Sequence, residues 1–223
     1  MEAKDRIIER VIYIFNVYIR KRTPFTYDEV VADWGIKGAG LPHFCARLYA
    51  EVKLLEEAVG DYHAKRSLEI GCGYGRLTPW IAKHSDQHYA IDPESFLLKN
   101  AEKLYPNVRF YQAKAQKLPF PDKYFDFCVS WTVLQHIPPK QFIKAVAEIK
   151  RVCTPEATII LVEGVGNLIS DLGIYWEHTL EEWTALFSPW ELIWQKERKL
   201  EASYKSVAHG LIMRFEREEK AKT

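Results

Sequence analysis

The sequence predicts an α/β fold: a seven-stranded, mostly parallel sheet with helices on both faces and an antiparallel hairpin at its carboxyl end. Three observations predict it. From residue 67 onward, short apolar runs alternate with segments of helical period, as in a series of βαβ units. A glycine-rich turn joins the first run to the first helix of that series. Two late runs, near residues 191–197 and 207–215, are joined by a short linker through Glu201, Ser203 and Lys205, which suits a hairpin. A chain of 223 residues accommodates one such domain with a small cap.

The elements follow in order. Residues 1–62 read as helical and stand apart from the alternation, so a helical lid or cap is expected there. Ile7, Ile8, Val11, Ile12, Phe15, Tyr18 and Ile19 cover a wide face of one helix. Thr26-Tyr27-Asp28-Glu29 fits a capping box for a second. A third is expected over residues 42–59, with Phe44, Leu48, Val52 and Leu55 on one face and Gly60 ending it. The main domain is expected over residues 63–216 and a charged tail over 217–223. Its strands are expected at 67–70, 88–91, 108–112, 125–130 and 157–162, with helices at 76–84, 94–104 and 139–152. Thr179-Leu180-Glu181-Glu182 is a second capping box, opening a helix to about Phe187.

Composition narrows the classes. The formal net charge of +1 gives no general attraction to nucleic acid or to a membrane. Cys45, Cys72, Cys128 and Cys153 are scattered and form no C-x-x-C pair, so no metal site is expected and a reducing cytoplasm is. The amino terminus is charged at Lys4, Asp5 and Arg6, and no small-residue cleavage site follows its apolar run, so no signal peptide is expected. That run is shorter than the roughly 20 residues a membrane span needs.

The chemistry is concentrated at S-L-E-I-G-C-G-Y-G-R-L-T, residues 67–78. A strand ending in Glu69 meets three alternating glycines, Gly71, Gly73 and Gly75. Glycine allows a sharp turn and close approach of the backbone to a ligand. A dinucleotide turn reads G-x-G-x-x-G, but here Arg76 holds the place of its third glycine. The pattern E-x-G-x-G-x-G resembles the first motif of the class I S-adenosylmethionine-dependent methyltransferases, of the type 11 kind. The resemblance implies a Rossmann-like fold, S-adenosylmethionine as cofactor, and Glu69, Gly71, Cys72, Gly73, Tyr74 and Gly75 around it.

Further motifs extend the resemblance to about residue 215. Asp92 ends the second strand, about twenty residues beyond the first glycine, where a carboxylate can accept from both ribose hydroxyls. It is also placed to cap the following helix. Pro93 would then offer an apolar surface to adenine. The run A-K-A-Q-K-L-P-F from Ala113 resembles the family's G-D-A-x-x-L-P-F segment. Lys114 replaces its acid and has no lone pair for the adenine amino group. Ala115 and Gln116 remain as contacts there. The segment after the fourth strand implies cofactor contacts from Ser130 and Trp131, with Gln135 and His136 facing cofactor or substrate. His136 can take a proton near neutral pH, or it can cap the next helix. Glu163 ends the fifth strand, and Tyr175, Trp176, Glu177 and His178 form either a pocket wall or packing under a loop. His43, Arg47 and Tyr49 are further possible contacts from the cap.

Other chemistries lack their signatures. There is no Asn-Pro-Pro-Tyr-like run, Pro-Cys nucleophile, H-E-x-x-H, P-loop or G-x-S-x-G. The expected function is methyl transfer to a small molecule. A non-catalytic cofactor-binding subunit, a nucleotide-dependent oxidoreductase and an RNA or protein methyltransferase are the alternatives.

Overall fold

The architecture is taken from a computed structural model, which describes residues 40–166, 176–198 and 210–217. The expected helices over residues 7–19 and from Thr26, the hairpin linker and the charged tail after Arg217 lie outside the described residues.

Seven strands form one sheet: β1 (Ala64–Ile70), β2 (Ser85–Asp92), β3 (Arg109–Gln112), β4 (Phe125–Trp131), β5 (Cys153–Gly164), β6 (Glu191–Arg198) and β7 (Gly210–Glu216). Their order is β3-β2-β1-β4-β5-β7-β6. The first five pair in parallel, while β7 lies antiparallel between β5 and β6. Strand β1 therefore pairs with β2 on one side, Leu68 opposite Tyr89, and with β4 on the other, Leu68 opposite Cys128. The direction of winding reverses between β1 and β4, and ligands of open α/β sheets bind at the carboxyl end of such a switch point.

Among the described residues five helices cover the sheet: α1 (Gly40–Val59), α2 (Thr78–Ala82), α3 (Ser95–Leu104), α4 (Pro139–Val152) and α5 (Leu180–Phe187). One core lies under α4 and α5. Phe142, Ala145, Val146, Ile149 and Val152 of α4 recur at helical spacing and bury against Cys128, Ile159 and Leu161. Trp183 and Phe187 of α5 join the same core, held by the capping box at Thr179 and Glu182. The other core lies under α1 and α2, where Leu54, Leu55, Ala58, Val59, Leu77 and Ile81 meet Phe127, Val129 and Ile160.

Several boundaries differ from expectation, each for a tertiary reason. Strand β1 begins at Ala64 because Asp126 accepts from the backbone N–H groups of Lys65 and Arg66, both at 2.7 Å. Strand β2 begins at Ser85, paired with Ala64, and so shortens α2 to five residues. Strand β5 begins at Cys153, paired with Phe125 ahead of a register shift. The second half of α1 is a layer of the sheet domain. Gly60 (φ +60°) ends the helix, and Arg214 of β7 donates to the carbonyls of Ala58 and Val59. Residues 60–63 are all that separate α1 from β1, so the helix returns directly onto the sheet.

Candidate functional site

The glycine turn is fastened to the end of β2. The N–H groups of Gly71 and Cys72 both donate to the Ile91 carbonyl, at 2.8 and 2.9 Å. Gly73 N–H donates to Asp92 Oδ2 at 2.9 Å. The glycines differ in what surrounds them. A Cβ on Gly71 (φ +71°) would lie 2.4 Å from Val133 of the segment after β4. One on Gly75 (φ +86°) would lie 2.7 Å from the ring of Tyr105, at the end of α3. One on Gly73 (φ +56°) would meet nothing within 4 Å among the described residues. Gly71 and Gly75 thus give close packing, and Gly73 faces open space.

Asp92 is buried and accepts a second backbone bond, from Glu94 N–H at 2.8 Å on Oδ1. Glu94 is the N-cap residue of α3, so Asp92 braces the turn into that helix without being its cap. Burial pushes the Asp92 carboxyl up to about 6, against the lowering effect of the two backbone bonds. Each oxygen retains acceptor capacity beyond those bonds.

Glu69 and Cys72 are buried at the mouth of the turn. The Glu69 carboxylate accepts from Thr78 Oγ1 at 2.6 Å. The thiol of Cys72 is held neutral, chiefly by burial and further by Glu69 and Asp92. Tyr74 lies half-buried between Gly73 and Gly75.

Pro93 is exposed, and its carbonyl accepts from Gln112 Nε2 at 3.1 Å. Beyond β3, Lys114 is exposed and Gln116 donates to Gln141 of α4 at 3.1 Å. Ala115 is buried in the core, so only its backbone stays available at the edge. Arg151 of α4 holds this segment by donating to the carbonyls of Leu118 and Phe120 at 3.1 and 2.8 Å, while Glu148 accepts from Leu118 N–H at 2.8 Å.

The segment after β4 is built around Glu163, fully buried at the end of β5. Its Oε1 accepts from Ser130 Oγ at 2.8 Å and from the N–H groups of Val133 and Leu134 at 3.2 and 3.1 Å. Its Oε2 accepts from Gln135 N–H at 3.2 Å. Burial raises the carboxyl's pKa, opposed by these bonds. Ser130, expected at the cofactor, has its hydroxyl engaged here and is itself fully buried. Trp131 is buried at the carboxyl end of β4, and its indole N–H finds no acceptor among the described residues.

Gln135 and His136 form a short 3-10 turn with Leu134. Gly164 N–H donates to Gln135 Oε1 at 2.6 Å, which fixes the orientation of the amide. The amide nitrogen then faces His136 Nε2 at 3.2 Å, a contact in which that imidazole nitrogen is the acceptor. His136 is exposed, and α4 starts at Pro139 after Pro138 as its N-cap residue with no side-chain cap, so His136 does not cap it. Trp176 approaches the same turn, its N–H donating to the Gln135 carbonyl at 2.8 Å. His178 stacks on Phe142 at 4.3 Å, as packing under a loop requires. Tyr175, His43 and the side chain of Arg47 lie outside the described residues, and Tyr49 is exposed on α1.

The glycine turn, Asp92 and the segment after β4 thus meet at the β1–β4 switch point. Sequence reasoning missed Glu163 as the organiser of that segment and Arg151 as the anchor of the segment after β3. An acid at a strand end was the one visible signal for Glu163.

This strand order, with a glycine turn facing an acid at the end of β2, defines a class I S-adenosylmethionine-dependent methyltransferase fold. Comparison with known proteins agrees with that fold: residues 68–161 match the family model described as a methyltransferase domain. It is 29% identical over 152 residues to the uncharacterized methyltransferase YcgJ of Bacillus subtilis, covering 60% of this chain and 59% of that protein. It is 34% identical over 116 residues to the ubiquinone/menaquinone biosynthesis C-methyltransferase UbiE of Stutzerimonas stutzeri, covering 48% of this chain and 44% of that one. The match therefore spans less than two thirds of these relatives' own length. A similar solved fold is the 1,6-didemethyltoxoflavin-N1-methyltransferase of Burkholderia thailandensis, crystallised with 1,6-didemethyltoxoflavin and S-adenosylhomocysteine. That likeness has a TM-score of 0.64 at 16% identity and covers 97% of this chain and 91% of that one. No helix among the described residues is long and apolar enough to cross a membrane.

Proposed function

We propose that this chain transfers a methyl group from S-adenosylmethionine to a small-molecule acceptor in the cytoplasm. The observation that carries the reading is the meeting of Gly73 and Asp92, an open glycine joined to a buried carboxylate at 2.9 Å. A turn serving only the backbone has no need of open space there. When bound, the cofactor supplies a methyl group on a sulfonium, a good leaving group for in-line displacement.

The chain's own residues bind, orient and accept protons. Asp92 accepts the ribose hydroxyls with the acceptor capacity that Gly73 and Glu94 leave. Pro93, Gln116 and the backbone at Ala115 border the adenine. Lys114 supplies no acceptor there. Glu69 faces the ammonium end. Trp131 offers its unpaired indole N–H, whose burial without a partner costs about 1–3 kcal/mol until a ligand accepts from it. Alignment of this kind is worth about 7–11 kcal/mol of barrier.

His136 is the base for an acceptor that carries a proton. Its accepting nitrogen faces the Gln135 amide, so proton uptake requires that contact to open. General-base help of this kind adds about 10²–10⁴-fold. The name of the quinone-pathway relative and the heterocycle bound to the Burkholderia enzyme support a small acceptor. The buried free thiols of Cys72, Cys128 and Cys153 suit a reducing compartment.

The test supplies methyl-labelled S-adenosylmethionine and a fractionated cell extract. Label is expected in the low-molecular-mass fraction. His136→Asn should lower the rate roughly 10²-fold and leave S-adenosylhomocysteine affinity unchanged. Label confined to protein or RNA would move the acceptor to those classes. Cofactor binding with no labelled product would make the chain a non-catalytic subunit.

A further inference from the structure

Beneath the glycine turn, polar side chains of β1, β2 and α2 form a buried chain. Glu69 Oε2, already bonded to Thr78, faces His88 Nε2 at 3.4 Å. His88 Nδ1 lies 2.6 Å from Ser67 Oγ, and Ser67 Oγ lies 2.6 Å from Ser85 Oγ. Ser85 Oγ also reaches the Ala82 carbonyl at 3.4 Å. Glu69, His88, Ser67 and Thr78 are all more than nine-tenths buried. The functional reading above gives His88 no role.

The hydroxyl pair can run in either direction. If Ser85 donates to Ser67, then Ser67 donates to Nδ1, and a neutral imidazole presents Nε2–H to Glu69. If Ser85 donates to the Ala82 carbonyl, then Ser67 donates to Ser85 and accepts Nδ1–H. The ring is then an imidazolium facing a carboxylate. Every donor has an acceptor in both states, so neither proton arrangement leaves a buried donor unsatisfied.

We propose that His88 is a positioning residue that sets, through Glu69, how strongly the site holds the cationic ammonium end of its cofactor. This rests on the cofactor reading above. With His88 neutral, the charge of Glu69 is available to that ammonium. With His88 protonated, the charge is paired internally. Affinity is therefore higher while the ring is neutral than once it is protonated.

Other ionisable groups surround the pair. Asp92 and Cys72 interact electrostatically with Glu69 from the end of β2 and from the turn. Arg76 pairs with Glu51 of α1 on the far side of the turn, and Lys83 and His84 pair with Glu56 of α1 at the end of α2. Cys72 stays neutral throughout because burial raises its pKa. Asp92, at about 6, titrates in the same window. The diagnostic quantity is therefore the part of the pH dependence that is lost with His88.

The experiment is calorimetry of S-adenosylhomocysteine, which carries the same ammonium, binding to the full chain at pH about 8 and about 5.5. His88→Asn should match wild type at the higher pH and bind roughly tenfold tighter than wild type at the lower. Ser67→Ala removes the acceptor for Nδ1–H, disfavours the imidazolium and should move the fall in affinity to lower pH. It decides the question if His88→Asn does not fold. Parallel pH dependence in wild type and variants overturns the relay while leaving the cofactor reading intact. Failure to bind at either pH overturns the cofactor reading and the relay with it.

Discussion

Asp92 is held by two backbone donors and is still raised to about 6, so burial outweighs both bonds. The sign of the consequence follows from linkage. An unfolded aspartate titrates near about 3.9. Folding therefore takes up a proton between roughly pH 4 and 6, and the stability this confers is lost as pH rises through 6. A shift of this size bounds the loss at about 3 kcal/mol. Burying a carboxylate at such a cost fits a group kept for a ligand. Asp92→Asn should abolish that slope in denaturation of the unliganded chain. It should also weaken S-adenosylhomocysteine at least tenfold near pH 8, since losing a charge-assisted partner costs about 1.5–3 kcal/mol. An unchanged Kd would leave Asp92 as a brace for the turn into α3.

At the scale of elements, the three glycines separate shape from binding. Gly73→Ala meets no neighbour and carries only the left-handed strain of about 1–2 kcal/mol. Gly71→Ala adds a collision with Val133, and Gly75→Ala one with Tyr105, each worth about 1–3 kcal/mol more. Urea denaturation should rank Gly73→Ala the most stable of the three. Calorimetry should find its cofactor affinity sharply reduced. If it folds and binds like wild type, the open space at Gly73 does not receive the ligand. The motif made these glycines visible, but not their division of labour, which depends on Val133 and Tyr105 arriving from other elements. The same distinction runs through the fold. Helix α4 is legible to its ends because Pro138-Pro139 sets its entry and five apolar residues mark its buried face. The start of β2 is not, because Ser85, Asp86 and Gln87 are polar, fall between the expected helix and strand, and become strand only beside β1. Glu163 is likewise opaque, since its donors lie about thirty residues earlier in the chain.

At the scale of the whole molecule, the question is what the amino-terminal third does for the sheet. Its described part, α1, closes one face through Leu54, Leu55, Ala58 and Val59, so that half serves as core. Further along the same helix, Glu51 is almost fully buried and pairs with Arg76, the residue that follows the last glycine of the turn. Arg198, at the end of β6, lies 3.6 Å from the same carboxylate. A carboxylate between two guanidiniums ties helix, glycine turn and β6 together, and removing it would strand buried charge at a cost of about 3–5 kcal/mol. Ordering the turn should therefore order α1. Amide exchange in residues 44–52 is expected to slow when S-adenosylhomocysteine binds, while residues 54–59, already in the core, change little. Glu51→Gln should uncouple the two, leaving exchange in residues 44–52 the same with and without ligand. If wild type shows no slowing there while binding ligand, α1 covers the sheet without sensing the site, and closure over the cofactor would have to come from elsewhere in the chain.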